Sequence, residues 1–150
     1  MSTHHGLSTT DTDQLADDLA FDVLQKSCPS RAALEHITGR WGTLTLIALR
    51  DGPTRFNELR RRVDGVSEKM LSQSLHALER DGFVARAVHS AIPPRVEYSL
   101  TPLGVETTEK LTALVLHLEA QMPAIIAAQE RYGEELVPAT ITNTIGGSGI

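Results

Sequence analysis

The chain is poor in the features that define several large protein classes. It has one cysteine in 150 residues, which excludes an internal disulfide framework but leaves open a bond between subunits or a reactive thiol. No apolar run approaches the roughly 20 residues that a bilayer-spanning helix needs. The first residues, Met1 to Gly6, lack the basic and then apolar segment of a secretory signal. We therefore expect a cytoplasmic protein with no membrane partner.

Signatures of enzymes and metal sites are also missing. The sequence has no phosphate-binding glycine loop, nucleophile elbow or metalloprotease motif. Its six histidines are scattered without ligand spacing, and one cysteine cannot build a structural zinc site. We expect neither an enzyme nor a resident cofactor or metal. A metal sensor assembled across a dimer stays open.

Acidic residues exceed basic ones over the whole chain but not in its middle. The formal net charge of −5 argues at first against a nucleic-acid partner. Residues 50–95 nevertheless hold nine Arg and Lys side chains against six Asp and Glu side chains. Because physiological salt screens charges beyond about 8 Å, binding responds to the local charge rather than to the total. The basic middle of the chain is therefore compatible with DNA binding.

The segment from Ser67 to Gly82 has the clearest helix pattern in the chain. Ser67 can cap its start, and Gly82 can take the left-handed conformation that ends a helix. One face is apolar and predicts a core contact; it consists of Met70, Leu71, Ser74, Leu75 and Leu78. The other face carries hydrogen-bonding side chains with almost no acid among them, namely Lys69, Ser72, Gln73, His76 and Arg80. A face that only needs solubility usually mixes both charge signs, so we expect this row to read DNA, with a plain solvated face as the alternative.

The segments around this helix predict a winged helix-turn-helix. Asn57 can cap a short helix from Glu58 to Val63, and Asp64-Gly65 makes a tight turn into the next helix. In a helix-turn-helix the second helix enters the major groove. Residues 83–89 and 95–100 then read as strands, and the two prolines between them stiffen the hairpin tip. This hairpin is the expected wing.

Further helices frame this core. We expect one from Thr12 or Asp13 to about Lys26, a central buried one from Trp41 to Leu49, and a long one starting at Thr101-Pro102. The apolar side of the long helix is spaced for pairing with another helix. Because Pro123 lies inside it, we expect a kink or a break near Met122.

These elements define the expected fold class and domain order. The fold class is α+β and mainly helical, a winged helix-turn-helix with added N- and C-terminal dimerisation helices. A length of 150 residues suits one domain and is short for two. We expect a disordered tail at 1–12, a single domain at 13–132 and a flexible tail at 133–150.

The single cysteine, Cys28, precedes a proline, which is favoured at the first position of a helix. We therefore expect Cys28 to be the N-cap of a helix from Pro29 to Thr38. Unsatisfied amides and the positive end of the helix dipole favour the thiolate there, and Arg31 is close in sequence. The alternative is a small, buried and inert residue.

Residues 28–104 combine motifs that chance would not assemble. They are Cys28-Pro29, Gly39-Arg40-Trp41, Gly52-Pro53, Arg55-Phe56-Asn57-Glu58-Leu59, Leu71-Ser72-Gln73, Leu78-Glu79-Arg80-Asp81-Gly82 and Pro93-Pro94-Arg95-Val96-Glu97-Tyr98-Ser99-Leu100-Thr101-Pro102-Leu103-Gly104. Together they resemble the HxlR-type winged-helix transcriptional regulators of bacteria. The resemblance implies a homodimer joined through its terminal helices, with two recognition helices and two wings on a roughly palindromic operator. It also implies a redox-sensing role for Cys28, since some members respond to oxidants, electrophiles or quinones through a cysteine at this position.

The expected DNA-binding side chains lie on the second helix and on the elements beside it. They are Arg55, Asn57, Ser67, Lys69, Ser72, Gln73, His76 and Arg95. Gln73 can pair with adenine and Lys69 with guanine, whereas Arg80 is expected to make a backbone or intramolecular contact.

Two arginines of this set have competing roles. Arg55 is placed for a phosphate, or else for a salt bridge to Glu58 or Glu79. Arg95, at the base of the wing, can reach a phosphate or a minor groove, or else flank Glu97. The run from Arg60 to Arg62 is expected to be a solvated face, in which one residue can touch the DNA backbone.

The expected function is that of a homodimeric transcriptional repressor bound to a double-stranded DNA operator, with an oxidant, an electrophile or a small molecule as its effector. A first alternative is the same scaffold gated by a small ligand held between the long helices, where Trp41 and Met122 would line a pocket. A second is a winged helix that binds only protein.

Overall fold

The computed structural model describes residues 22–90 and 92–136. Its elements are α1 (Pro29–Thr38), α2 (Gly42–Ala48), a short 3-10 helix (Leu49–Asp51), β1 (Thr54–Arg55), α3 (Phe56–Arg62), α4 (Glu68–Arg80), β2 (Val84–His89), β3 (Arg95–Leu100) and α5 (Pro102–Leu136). The three strands form one antiparallel sheet in the order β1-β3-β2. The helix pair α3 and α4, followed by the hairpin β2–β3, is a winged helix-turn-helix, so the expected fold class is confirmed.

The wing and the helix-turn-helix are joined by the third strand. Residues of β2 and β3 pair from Val84 with Leu100 to His89 with Arg95, which confirms the predicted hairpin. The short strand β1 pairs on the other edge of β3, with Arg55 opposite Glu97. Because α3 starts directly after β1, this pairing places the start of α3 beside the middle of β3. Arg95 was predicted to lie at the base of the wing, but it pairs with His89 next to the hairpin tip.

The core lies beneath α4, which packs against α1, α2 and β2. Leu71, Leu75 and Leu78 are at most 1 % exposed. The other buried apolar side chains of this region are Leu46, Ala48, Leu49, Leu59, Val63, Val66, Phe83 and Val84. Met70 was predicted to belong to the core face but is 42 % exposed, because it lies at the edge of the stripe that the three leucines form.

The predicted N-terminal helix does not reach Lys26. Residues 22–27 form turns, in which the Gln25 amide donates to the Asp22 carbonyl at 2.9 Å and the Cys28 amide to the Gln25 carbonyl at 3.0 Å. The Asp22 carboxylate accepts the Leu24 amide at 3.0 Å, a local bond that competes with helix formation. The remainder of that predicted helix, together with the predicted tail at 1–12, lies outside the described residues.

The start of α3 differs from the prediction. Arg55, in extended conformation, is the N-cap, so the helix begins at Phe56 and Asn57 lies within its first turn. The reason is tertiary, since the pairing of β1 with β3 holds the backbone extended up to Arg55. The Asn57 side chain is exposed and makes no cap.

Helix α2 is shorter and less buried than its apolar sequence predicts. It ends at Ala48 and continues as the 3-10 helix, and Gly52, at φ +119°, follows. Thr45 and Leu46 are fully buried, whereas Leu44 is exposed. Its neighbours α1 and α4 therefore cover only part of its circumference.

The chain divides into a unit that ends at Glu109 and a unit that starts at Lys110, within α5. The first unit contains the helix-turn-helix and the wing. In the second unit α5 continues to Leu136 without a break at Pro123, because the proline removes one backbone bond while its neighbours, rich in Ala, Gln and Met, favour a helix. The last residues of α5 fall within the expected tail at 133–150, whose remainder lies outside the described residues.

The second unit exposes many apolar side chains. They are Leu114, Leu116, Leu118, Met122, Ile126, Tyr132 and Leu136. By length and composition α5 is apolar enough to cross a membrane, with a mean hydropathy of 1.5 and 6 % of that window buried. The expectation that no segment is long and apolar enough to span a bilayer was wrong. His117, Glu119 and Pro123 interrupt the apolar run of α5, but they do not lower its mean hydropathy enough to exclude such a span.

The start of α5 is fixed against the end of α4 through Gly104. The Thr101 hydroxyl donates to the Gly82 carbonyl at 2.6 Å and accepts the Gly104 amide at 3.0 Å. A Cβ on Gly104 would lie 2.0 Å from the Phe83 carbonyl oxygen. Only glycine therefore fits this junction.

We predict that Gly104→Ala lowers the free energy of unfolding by about 1–3 kcal/mol, because the clash is with backbone and no rotamer relieves it. Urea unfolding followed by circular dichroism measures the change. Gly133→Ala is the matched control, since a Cβ there meets nothing within 4 Å and alanine favours the helix by roughly 0.5–1 kcal/mol. Equal stability of the two variants would contradict the prediction.

Candidate nucleic-acid interface

Helix α4 is fixed at both ends by local bonds. At its start the Ser67 hydroxyl accepts the Met70 amide at 3.1 Å, which confirms the predicted cap. At its end Gly82 takes the predicted left-handed conformation, with φ +86°, and the Phe83 amide donates to the Leu78 carbonyl at 2.9 Å. These bonds and the buried leucines set which side of α4 faces solvent.

The polar row of α4 is on that solvent side. Lys69, Ser72, Gln73, His76 and Arg80 are all exposed. The Arg80 guanidinium lies 3.9 Å from the Asp81 carboxylate, in keeping with its expected intramolecular contact. The remaining four side chains have no ion pair among residues 22–90 and 92–136, so they are available to a ligand.

A groove between α3 and the wing brings together three of the expected DNA-binding residues. Arg55, Asn57 and Arg95 line it around a volume of about 760 Å³, and Arg61 adds a third arginine against one acid, Glu58. Residues 92–94 of the hairpin tip complete the lining. Within the described part of the chain neither Arg55 nor Arg95 forms an ion pair. Glu97, the alternative partner of Arg95, instead lies 3.2 Å from the His89 imidazole. The groove is therefore cationic and open.

A second cleft lies between α4 and the wing. Ser72, His76, Glu79 and Arg80 of α4 face Arg86 of β2 and Tyr98 of β3 across about 650 Å³. Reasoning from the sequence included Ser72 and His76 but missed Arg86 and Tyr98. The alternation of β2 was the available signal, because Arg86 is two positions from the buried Val84 and so lies on the same face of the strand.

The arginine run at the end of α3 has three separate roles rather than one solvated face. Arg62 donates to the Ala48 carbonyl at 2.8 Å and to the Asp51 carboxylate at 2.7 Å. Arg60 pairs with Glu68 at 3.3 Å. Arg61 lines the groove between α3 and the wing. One of the three thus ties α3 to α2, one ties α3 to α4, and one faces the candidate interface.

A short hydrogen bond joins α1 to the end of α4. The His36 Nδ1 atom lies 2.5 Å from the Asp81 carboxylate, with the two side chains 27 % and 19 % exposed. Asp81 is the C-cap of α4, and His36 lies in the last turn of α1. The contact therefore links the orientation of α4 to that of α1.

Cys28, at the other end of α1, is its N-cap as predicted, without a side-chain cap bond. The thiol is partly exposed, so the alternative of a buried residue is wrong. Its sulfur lies 3.0 Å from the Ser30 hydroxyl. This hydrogen bond, with weaker help from the Ser30 and Asp22 backbone, lowers the pKa of the Cys28 thiol against the opposing effects of burial and the Asp22 charge. Arg31 instead donates to the Leu24 carbonyl and pairs with Glu35.

Residues 22–90 and 92–136 contain no cluster of three or more His, Cys, Asp or Glu side chains that could hold an ion. Cys28 lines neither the groove nor the cleft. Cations, hydroxyls and amides outnumber the two carboxylates, Glu58 and Glu79, in the lining of the groove and the cleft, and such groups are suited to phosphates and base edges.

Comparison with known proteins gives this surface its family context. The family model described as HxlR-like helix-turn-helix matches residues 36–126. The uncharacterized HTH-type transcriptional regulator YtfH of Escherichia coli (strain K12) is 51 % identical over 109 residues, which cover 73 % of this chain and 86 % of that protein.

Solved structures agree with the sequence comparison. The transcriptional regulator ytfH from Salmonella typhimurium is 52 % identical, with a TM-score of 0.69 over 73 % of this chain and 97 % of that one. The redox regulator HypR in its reduced form is 33 % identical, with a TM-score of 0.61 over 66 % of this chain and 98 % of that one. The oxidized form of HypR is 36 % identical, with a TM-score of 0.57 over 62 % of this chain and 96 % of that one. The chain belongs to the HxlR-like helix-turn-helix family of transcriptional regulators.

Proposed function

We propose that this regulator is a homodimeric repressor, acting in the cytoplasm, that reads a roughly palindromic operator with α4 of each protomer. The observation that carries the proposal is the acid-free row on the solvent side of α4, a helix held at both ends and packed through three buried leucines. Membership of a family of helix-turn-helix regulators supports DNA as the ligand of this row.

The side chains that contact bases in this proposal lie in the N-terminal half and the centre of α4. Lys69 can reach guanine, and the Gln73 amide can make two hydrogen bonds to adenine in the major groove. Ser72 and His76 add adaptable donors and acceptors beside them. The N-terminal part of a recognition helix meets the base edges, which favours these four positions over Arg80.

Phosphate contacts set the register of α4 on the duplex. Arg55, Asn57 and Arg95 share one cationic groove, and Ser67 lies at the N-terminus of α4, where backbone amides and the helix dipole favour an anion. These contacts add affinity without base preference.

The dimer is proposed to form through α5. Its exposed leucines, Met122 and Ile126 recur at a spacing that suits a second helix. A second copy of this helix is a better partner than lipid, because Glu119 and His117 lie within the same stretch and charges at bilayer depth are costly.

We predict that Gln73→Ala weakens binding to the operator by about 1–3 kcal/mol while leaving affinity for unrelated DNA unchanged, since the amide contributes base pairing rather than charge. Fluorescence anisotropy with a duplex from the region upstream of the gene measures both. Lys69→Ala should lower operator affinity as well.

Gln25→Ala, in the exposed turn before α1, is the matched control and should bind like wild type. Binding that ignores sequence, with no loss in either α4 variant, would exclude base reading by this helix. Absence of DNA binding altogether would favour a winged helix that binds only protein.

We further propose that Cys28 makes the repressor responsive to oxidants or electrophiles. The partly exposed thiol, its bond to Ser30 and its lowered pKa favour the thiolate, and HypR, described as a redox regulator, shares the fold. An electrophile would form a thioether adduct with this thiolate. A two-electron oxidant such as a hydroperoxide would instead take two electrons from the thiols of two protomers, which release two protons and form one disulfide.

We predict that Ser30→Ala raises the pKa of Cys28, because the alanine removes the hydrogen bond that stabilises the thiolate. The rate of iodoacetamide alkylation, measured against pH, should reach half its maximum at a higher pH in the variant than in wild type. Ser27→Ala, whose residue precedes Cys28, is the control and should leave the profile unchanged. Identical profiles for Ser30→Ala and wild type would show that Ser30 does not activate the thiol.

A repressor gated by a small ligand remains the competing mechanism. Trp41 lines a shallow apolar cavity of about 200 Å³ with Met70 and Ala77, next to Gln73. This cavity belongs to the first unit, whereas the predicted pocket also included Met122 of the second unit. Oxidant-induced release of DNA from Cys28→Ser, equal to that from wild type, would exclude the cysteine switch and favour this mechanism.

A further inference from the structure

Arg86 is a cation on the side of the wing that faces α4. In the sheet register Arg86 pairs with Tyr98, and Thr54 pairs with Tyr98 from the other edge. Directly paired residues share a sheet face, and Thr54 is buried. Arg86 therefore extends from the core-facing side of the sheet, beyond the point where the core ends, and it is exposed.

The other cations of the wing lie on the opposite face. Arg55 pairs with Glu97, and Glu97 pairs with Ala87, one position from Arg86. Arg95 pairs with His89, which lies on the face of Ala87 because side chains alternate along a strand. The wing thus presents Arg55 and Arg95 on one side and Arg86 on the other.

No carboxylate neutralises Arg86 within the described residues. The ion pairs found there engage Arg31, Arg60, Arg62 and Arg80. Glu79 lines the same cleft but lies beyond the 4.0 Å limit of an ion pair with Arg86. An exposed guanidinium that lies next to a half-buried tyrosine and forms no ion pair with a described residue is suited to an anion that comes from outside the chain.

The cleft that contains Arg86 is continuous with the reading row of α4. Ser72 and His76 line it from α4, and Arg86 and Tyr98 line it from the wing. A helix in the major groove has a phosphate backbone on each side of it. A duplex engaged by Ser72 and His76 therefore brings one backbone past Arg86, while the groove of Arg55 and Arg95 lies on the far face of the wing.

We infer that Arg86 binds a DNA phosphate in the cleft between α4 and the wing, with the Tyr98 hydroxyl as a second donor to the same phosphate. This inference rests on the proposed DNA-binding function. Arg86 contributes affinity and fixes the position of α4, whereas sequence preference remains with Lys69, Ser72, Gln73 and His76. The wing then holds DNA through cations on both of its faces.

The test is the salt dependence of binding for Arg86→Gln, measured by fluorescence anisotropy from 50 to 200 mM KCl on the operator and on an unrelated duplex. Loss of one phosphate contact in each protomer reduces the magnitude of the slope of log affinity against log salt by about 1.8 for the dimer, and it weakens binding to both duplexes by about 10- to 100-fold near 0.1 M. Arg50→Gln is the matched control, because Arg50 is exposed and lines neither the groove nor the cleft; its slope should equal that of wild type.

An unchanged slope in Arg86→Gln, while Gln73→Ala still loses operator preference, would overturn the inference and leave the proposed function intact. A loss confined to the operator would also overturn it, since that pattern belongs to a base contact. If neither wild type nor any variant prefers the operator, the proposed function itself fails.

Labelling of wild-type protein keeps the test independent of the fold of the variant. Phenylglyoxal modifies exposed guanidinium groups, and mass spectrometry locates the adducts. The duplex should protect Arg86 and leave Arg50 labelled. Equal labelling of Arg86 with and without duplex would overturn the inference.

Discussion

The burial of Leu71, Leu75 and Leu78 is the constraint on which the candidate interface depends. Because a helix has a fixed period, burying this stripe against α2 and β2 decides that the row from Lys69 to Arg80 faces solvent. The Ser67 cap and the left-handed Gly82 fix where the helix starts and stops. The orientation and the length of α4 are therefore set before any ligand binds. The exposed row is held in one arrangement, which suits specific recognition of a ligand.

The contacts around α4 connect this helix and its exposed polar row with the rest of the first unit. Arg60 ties the start of α4 to α3 through Glu68. His36 ties the end of α4 to α1 through Asp81, and Cys28 is the N-cap of α1. The Cys28 thiol and the exposed polar row of α4 are thus on different elements, and α1 contacts the end of α4 through His36 and Asp81.

The elements with local signals were predictable from the sequence, and those set by tertiary contacts were not. Caps, turn glycines and strand alternation gave α4 and both wing strands within a residue of their observed ends. The start of α3 was misplaced because Asn57 has the sequence signal of an N-cap. The pairing of β1 with β3, which the sequence does not reveal, places the N-cap at Arg55 instead. Arg86 and Tyr98 were missed because their cleft exists only once β2 packs beside α4, and the link from Arg62 to the Ala48 carbonyl likewise joins elements distant in sequence.

The central claim is that α4 reads bases in the major groove, and methylation interference tests it most directly. Dimethyl sulfate methylates guanine N7 in the major groove and adenine N3 in the minor groove, so the two grooves are probed in one experiment on DNA from upstream of the gene. We predict that N7 methylation blocks binding in two patches about 10 bp, or a multiple of 10 bp, apart. Retained binding to DNA methylated at every guanine N7 of the protected region would contradict the claim.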